Sequence, residues 1–165
     1  METLWAPWRM AYVAGPKESG CIFCTHPVAA DARQALVLAT TPTSVVMLNR
    51  FPYANGHLMV APRAHTAELD QFSAVEFGAL METVRRAARV LREVFAPEGM
   101  NIGLNLGRAA GAGVADHLHW HLVPRWVGDT NFMPLIGEVR VMPEHLLATY
   151  DRLRPHFATA AASTG

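Results

Sequence analysis

The sequence predicts an α+β fold, with an antiparallel sheet of about five strands, one long helix packed on one face and a short C-terminal helix. Three observations lead there. Three short β-rich runs bounded by turn residues precede a single long helical pattern. Two more runs follow that helix. A glycine-rich stretch joins these last two, so a hairpin-like connection sets them side by side.

Along the chain, residues 1–20 carry Trp5, Trp8 and Tyr12 among Pro7, Gly15, Pro16 and Gly20, too broken for a long helix. Exposed tryptophans are costly, so this arm is expected to pack on the body or on a partner subunit. The main domain is expected over 21–157. Its first strand is read at Ala35–Ala39, its second at Ser44–Leu48 and its third at His57–Pro62, where proline stops it. A loop rich in turn formers, Asn49 to Gly56, separates the second from the third. Leu69, Phe72, Phe77, Leu80, Met81, Val84, Ala88, Leu91 and Phe95 recur at helical spacing. Ser73 and Glu76 are placed to form a capping box at the main start of that helix, and Pro97-Glu98-Gly99 ends it. Met100–Leu106 is the fourth strand, 107–113 a glycine loop, and His117–Pro124 the fifth strand. Pro143 is expected to open the C-terminal helix, and residues 158–165 form a small, polar tail expected to be disordered.

Fourteen basic and fourteen acidic side chains balance, which argues against duplex nucleic acid or an anionic membrane as a partner. Arg85, Arg86, Arg89 and Arg92 fall on the long helix and read as a solvated face. Hydrophobic residues make up 51% and charged ones 17%, a hint that another subunit covers some apolar surface. No stretch is long and apolar enough to span a bilayer, and the first residues lack a signal-peptide pattern, so a cytoplasmic protein is expected. Cys21 and Cys24, in a C-x-x-C pair, then point to metal binding or thiol redox work.

The stretch with most chemistry is His117-Leu118-His119-Trp120-His121-Leu122-Val123. In a strand the three imidazoles share one face while Leu118, Trp120 and Leu122 share the other. Such a row suits a metal cluster, a histidine nucleophile with a helper, or a pH-sensitive surface. Three metal-ligating imidazoles in one extended strand would spread over about 13 Å, far for one ion. The loop Asn105 to Gly113 precedes it, and glycines there let backbone N–H groups approach an anion.

These residues resemble the histidine triad (HIT) superfamily of nucleotide transferases and hydrolases, whose signature is His-φ-His-φ-His-φ-φ with φ apolar. A second block of that family is matched by Gly56-His57-Leu58-Met59-Val60-Ala61-Pro62-Arg63-Ala64-His65. With Cys21-Ile22-Phe23-Cys24 the resemblance spans about residues 21–126, and it implies a HIT-like fold. The wording of Leu48–Tyr53, Asn101–Gly107 and Val123–Trp126 is most similar to the bacterial diadenosine tetraphosphate phosphorylase and adenylyltransferase branch.

The resemblance implies an enzyme that cleaves dinucleoside polyphosphates at the α-phosphorus, with His119 as nucleophile and a nucleotidyl-histidine intermediate. His121 would hold a phosphate oxygen or the leaving group, and His57 would orient the site. Inorganic phosphate as acceptor gives phosphorolysis and water gives hydrolysis; nucleoside phosphoramidate hydrolysis is the habit of another branch. A zinc-stabilised nucleotide-binding module with little catalysis is the reading of a different class. Asn49 matches the position, usually acidic, that holds the ribose. Ile22, Phe23 and Met47 match the apolar base pocket. Asn105, Gly111 and Gly113 match the phosphate loop, though Gly113 and Val114 stand where many members carry side-chain donors, which leaves backbone N–H groups or Arg108 to replace them. In zinc-bearing members the ligands match Cys21, Cys24, His65 and His117, a closed structural site without organic cofactor. Members of the family are usually dimers or larger. His26, His145 and His156 are read as ordinary satisfied histidines.

Overall fold

The computed structural model describes residues 20–129 and 142–158. The expected N-terminal arm and most of the expected tail therefore lie outside the described residues, although Ala158 ends the last helix. Five antiparallel strands form one sheet: β1 (Val37–Thr40), β2 (Ser44–Leu48), β3 (Leu58–Pro62), β4 (Gly99–Leu104) and β5 (Trp120–Arg125), in the order β1-β2-β3-β5-β4. Among the described residues three α-helices accompany it: the short α1 (Ile22–Thr25), the long α2 (Ala74–Phe95) and α3 (Leu146–Ala158). None of the described helices is long and apolar enough to cross a membrane.

The sheet is apolar on both faces. Leu38, Val46, Leu48, Leu58, Val60, Trp120 and Leu122 face α2 and α3 and form the main core with Leu80, Val84, Leu91 and Leu153. Val37, Val45, Met47, Met59 and Ala61 point the other way and form a smaller cluster with Phe23 of α1. That alternation is the period-two pattern of a strand buried on both sides. It puts the site on the face carrying the smaller cluster.

The first, third and fourth strands run Val37–Thr40, Leu58–Pro62 and Gly99–Leu104, one or two residues off the bounds read from the sequence, and three further differences have local reasons. Leu69 and Phe72 share the helical spacing that leads into the capping box. Those residues instead pack from a 3-10 turn and a break, because Ser73 takes the N-cap and closes the capping box with Glu76. The fifth strand starts at Trp120 and not at His117. Its neighbour β3 ends in Pro62, which has no N–H to donate and whose carbonyl accepts from His117 Nε2 at 2.8 Å, so the ladder stops there. The C-terminal helix starts at Leu146 and not at Pro143, since the His145 ring accepts the Leu147 N–H at 3.3 Å and acts as the cap.

The arginine face also divides. Arg85 pairs with Glu82 at 2.6 Å in solvent and Arg89 reaches Glu93, but Arg86 turns inward and donates to the Phe157 carbonyl of α3 at 2.9 Å.

Candidate functional site

Each triad histidine has one ring nitrogen engaged by the scaffold, and the partner fixes where the proton sits. His117 Nε2 faces the Pro62 carbonyl at 2.8 Å. A carbonyl only accepts, so Nε2 carries the proton and Nδ1 keeps its lone pair. His119 Nδ1 likewise donates to the His117 carbonyl at 2.9 Å, which leaves the lone pair on Nε2. For His121 the chain of reasoning is longer. The Tyr53 backbone N–H donates to His57 Nδ1 at 3.1 Å, so His57 is protonated on Nε2. That nitrogen lies 3.0 Å from His121 Nδ1 and donates to it. The remaining proton of neutral His121 is then on Nε2.

Burial disfavours the charged form of these rings. Desolvation lowers His117 and His119 below the usual imidazole value. Burial, together with the charge of His119, lowers His121 to about 4. His57, His117 and His119 are 0%, 1% and 4% exposed, so each offers at most a ring edge to a ligand. His119 and His121 stand 4.8 Å apart between ring centroids, nearly edge to face. The nucleophile, phosphate-contact and orienting positions named from the sequence thus come together.

Phe23 lies 4.9 Å from the His119 ring and 5.2 Å from the His117 ring, and it is 1% exposed. Met47 shares its cluster, and Ile22 and Val114 pack against that cluster. The residues expected to form a base pocket therefore make one apolar wall. Val114, at a position without a donor side chain, packs against that wall. In the loop, Gly107 and Gly111 have φ of 75° and 88° around a 3-10 turn at Arg108–Ala110. Both values need glycine, and a Cβ on Gly111 would sit 3.9 Å from Asn105 Nδ2. Gly113 and Arg108 are exposed. Asn49 uses its side-chain oxygen to accept the Phe51 N–H at 2.9 Å.

A second group lies beside the first. One donor atom from each of Cys21, Cys24, His65 and His117 falls within 4.8 Å of all the others. Cys21 Sγ and His117 Nδ1 are 3.2 Å apart, His65 Nδ1 and His117 Nδ1 3.2 Å, and Cys24 Sγ and His65 Nδ1 3.5 Å. The edges of a tetrahedron around a zinc ion with such ligands are about 3.3–3.8 Å, so this donor set can hold a metal. His117 Nδ1 is the lone-pair nitrogen, and the Pro62 carbonyl orients the ring from behind, as an outer partner of a metal-bound histidine does. Of the triad histidines, only His117 enters this group. Burial pushes the Cys21 thiol above its ordinary value, the opposite of what an attacking redox thiol needs.

The sequence reading did not find the Tyr53 N–H that sets the His57 tautomer, because a backbone donor leaves no mark in residue identity. It also did not find the buried polar contacts of Asn55, Glu144 and Thr149. Thr149 carried a signal, since a hydroxyl stands at the core-facing spacing Leu146, Thr149, Leu153. His26 donates from Nδ1 to the Ala35 carbonyl at 3.0 Å, in keeping with an ordinary role.

Known proteins share the sequence and fold of this chain. The chain is 39% identical over 167 residues to AP-4-A phosphorylase from Mycobacterium tuberculosis, which covers 96% of this chain and 85% of the relative. A Zn-bound histidine triad family protein from Mycobacterium smegmatis matches with a TM-score of 0.61 at 27% identity, over 78% of this chain and 87% of the other. A hypothetical histidine triad nucleotide-binding protein from Sulfolobus tokodaii shares the fold with a TM-score of 0.67 at 22% identity, over 88% of this chain and 97% of the other. The family model described as HIT domain matches residues 31–127, and the chain belongs to that family.

Proposed function

We propose that the protein cleaves dinucleoside polyphosphates such as diadenosine tetraphosphate at the α-phosphorus, with inorganic phosphate as acceptor. The observation that carries this reading is the proton arrangement. His119 presents an unprotonated Nε2, and its neighbour His121 presents a protonated one. A lone pair beside a donor is what attack on a phosphoryl group requires. The similarity to AP-4-A phosphorylase supports the substrate class.

In the first step His119 Nε2 forms a bond to the α-phosphorus as the bond to the leaving polyphosphate oxygen breaks. His121 Nε2–H donates to the oxygen on which charge develops. In the second step a phosphate oxygen attacks, the N–P bond breaks, and the lone pair returns to His119. Asn49 would hold the ribose, Asn105 with the backbone of Gly111 and Gly113 the phosphates, and Ile22, Phe23 and Met47 the base. Diadenosine tetraphosphate then gives ADP plus ATP with phosphate, and AMP plus ATP with water. Incubation with and without phosphate, with the products separated, tests the reading. Binding of AMP without turnover of any dinucleotide would replace it with a nucleotide-binding module.

Cys21, Cys24, His65 and His117 are assigned to a structural zinc, which when bound ties α1 to the triad. With all four positions filled by protein, the ion has no role in the chemical step. A reducing cytoplasmic setting, where the thiols stay available as ligands, fits this assignment. Residues 21–157 are assigned to one domain. A second copy of the chain is the inferred partner, and the edge strand β4, with Ile102 47% exposed, is a surface suited to it.

A further inference from the structure

We infer that Thr149, Asn55 and Glu144 form a positioning network through which the C-terminal helix holds the His57–His121 pair in its working tautomer. The inference rests on the proposed function for its kinetic consequences, but not for its geometry.

Thr149 is 1% exposed, and its hydroxyl is shared between two acceptors, Asn55 Oδ1 at 3.0 Å and Glu144 Oε2 at 2.7 Å. The Asn55 amide also reaches Glu144 Oε2 at 3.5 Å. Glu144 is approached from its other side by Arg152, 3.7 Å away, whose guanidinium stacks 4.7 Å from the Phe95 ring and donates to the Val94 carbonyl. Three polar side chains thus meet where two helices and a loop converge. An apolar trio would fill the same space with no hydrogen bonds to satisfy. What the polar trio adds is direction, because each contact fixes an angle as well as a distance.

The loop being held is the one that sets the tautomers. Asn55 lies two residues from both Tyr53, the backbone donor to His57 Nδ1, and His57 itself. The His57 N–H donates to the Ala54 carbonyl at 3.2 Å, and the Asn49 N–H to the His57 carbonyl at 3.0 Å, so the turn is closed around Asn55. Gly56 seals the other side: its φ is 76°, and a Cβ there would come within 2.9 Å of the Phe95 ring. A shift of Asn55 moves the Tyr53 amide relative to the His57 ring. Once that donor is misaligned, His57 is no longer held with its proton on Nε2, and His121 is no longer held with its proton facing the substrate.

The test is Thr149→Val, which keeps the branched shape and removes the hydroxyl, with Thr149→Ser as the variant that restores it. Nitrogen-15 NMR of the imidazoles reports the tautomers without any substrate. The wild-type His57 and His121 signals should each show one protonated Nε2 and one unprotonated Nδ1. Thr149→Val should turn the His121 signal into a tautomer mixture and lower kcat by roughly tenfold with little change in KM. Thr149→Ser should restore both. Glu144→Ala removes the outer acceptor at a partly exposed position, and should shift the same signal should Thr149→Val not fold. Wild-type tautomer signals in Thr149→Val or Glu144→Ala would overturn the inference, even with a lowered Tm, as would a Thr149→Ser that behaves like the valine variant. A protein that turns over no dinucleotide would overturn the proposed function and leave the tautomer result to decide this one.

Discussion

His57 Nε2 lies 3.0 Å from His121 Nδ1, and because His57 Nδ1 already accepts a backbone N–H, the proton between the two rings belongs to His57. A second proton on His121 would have to enter against that donor or force it to turn. Burial is the larger cause, with His119 beside it, and His121 is lowered from 6.5 to about 4. The unfolded chain therefore binds more protons than the folded one between these two values. Stability from this group is fully present above about 6.5 and is lost as pH falls toward about 4. His121→Gln should lose less Tm than the wild type over that window, and parallel Tm curves for the two proteins would refute the assignment.

His119→Ala should lower turnover of diadenosine tetraphosphate by roughly 10³-fold or more, since it removes the attacking lone pair. Its circular dichroism and Tm should stay close to wild type. Product release followed by chromatography measures the first quantity. Retained turnover would remove His119 from the nucleophile position.

Metal removal should destabilise the chain without unfolding the main sheet. Elemental analysis should give one zinc per chain, and Cys21→Ser should lose it. Such a loss, worth several kcal/mol, should lower Tm by roughly 10 °C. Equal Tm values for the wild type and Cys21→Ser, each with and without chelator, would exclude the assignment.

Gly56→Ala tests the close approach of the loop to α2. At φ 76° a side chain is strained, and the Phe95 ring would lie 2.9 Å from the new Cβ. Urea denaturation should show a loss of about 2 kcal/mol. A change within experimental error would mean that the loop shifts freely, which would also weaken the positioning role given to Asn55.

Ile102→Lys should weaken self-association through β4, where Ile102 is 47% exposed on an edge strand. Light scattering across a concentration series reads the mass. An unchanged oligomer would move the interface elsewhere.

Much of the fold was legible because both the strands and the helix obey simple periods. Ser44–Leu48 was read at its observed bounds, and the capping box of Ser73 and Glu76 was read as it stands. The triad's shared face was visible in the alternation of His117, His119 and His121 with Leu118, Trp120 and Leu122. What could not be read is how each ring is tied. Pro62 contributes its carbonyl to His117 and Tyr53 its N–H to His57, and every residue type offers a carbonyl. The start of β5 at Trp120 was missed for the same reason: it depends on a backbone acceptor in a different strand. Thr149 was readable in type but not in partner, because Asn55 lies 94 residues away in sequence.

The two unequal apolar faces of the sheet imply two tiers of protection against hydrogen exchange. The large face is closed by α2 and α3, and its amides open only with the whole domain. Among the described residues the small face is covered by α1, four residues long, whose N-cap Cys21 and third residue Cys24 belong to the metal-binding group. Phe23 lies in that same turn, so the lid over the His119 ring is the part of the domain that opens at lowest free energy once the ion leaves. Amides of residues 21–28 should then exchange first, while those of β2 and β3 stay the slower set and speed up only by the loss in global stability.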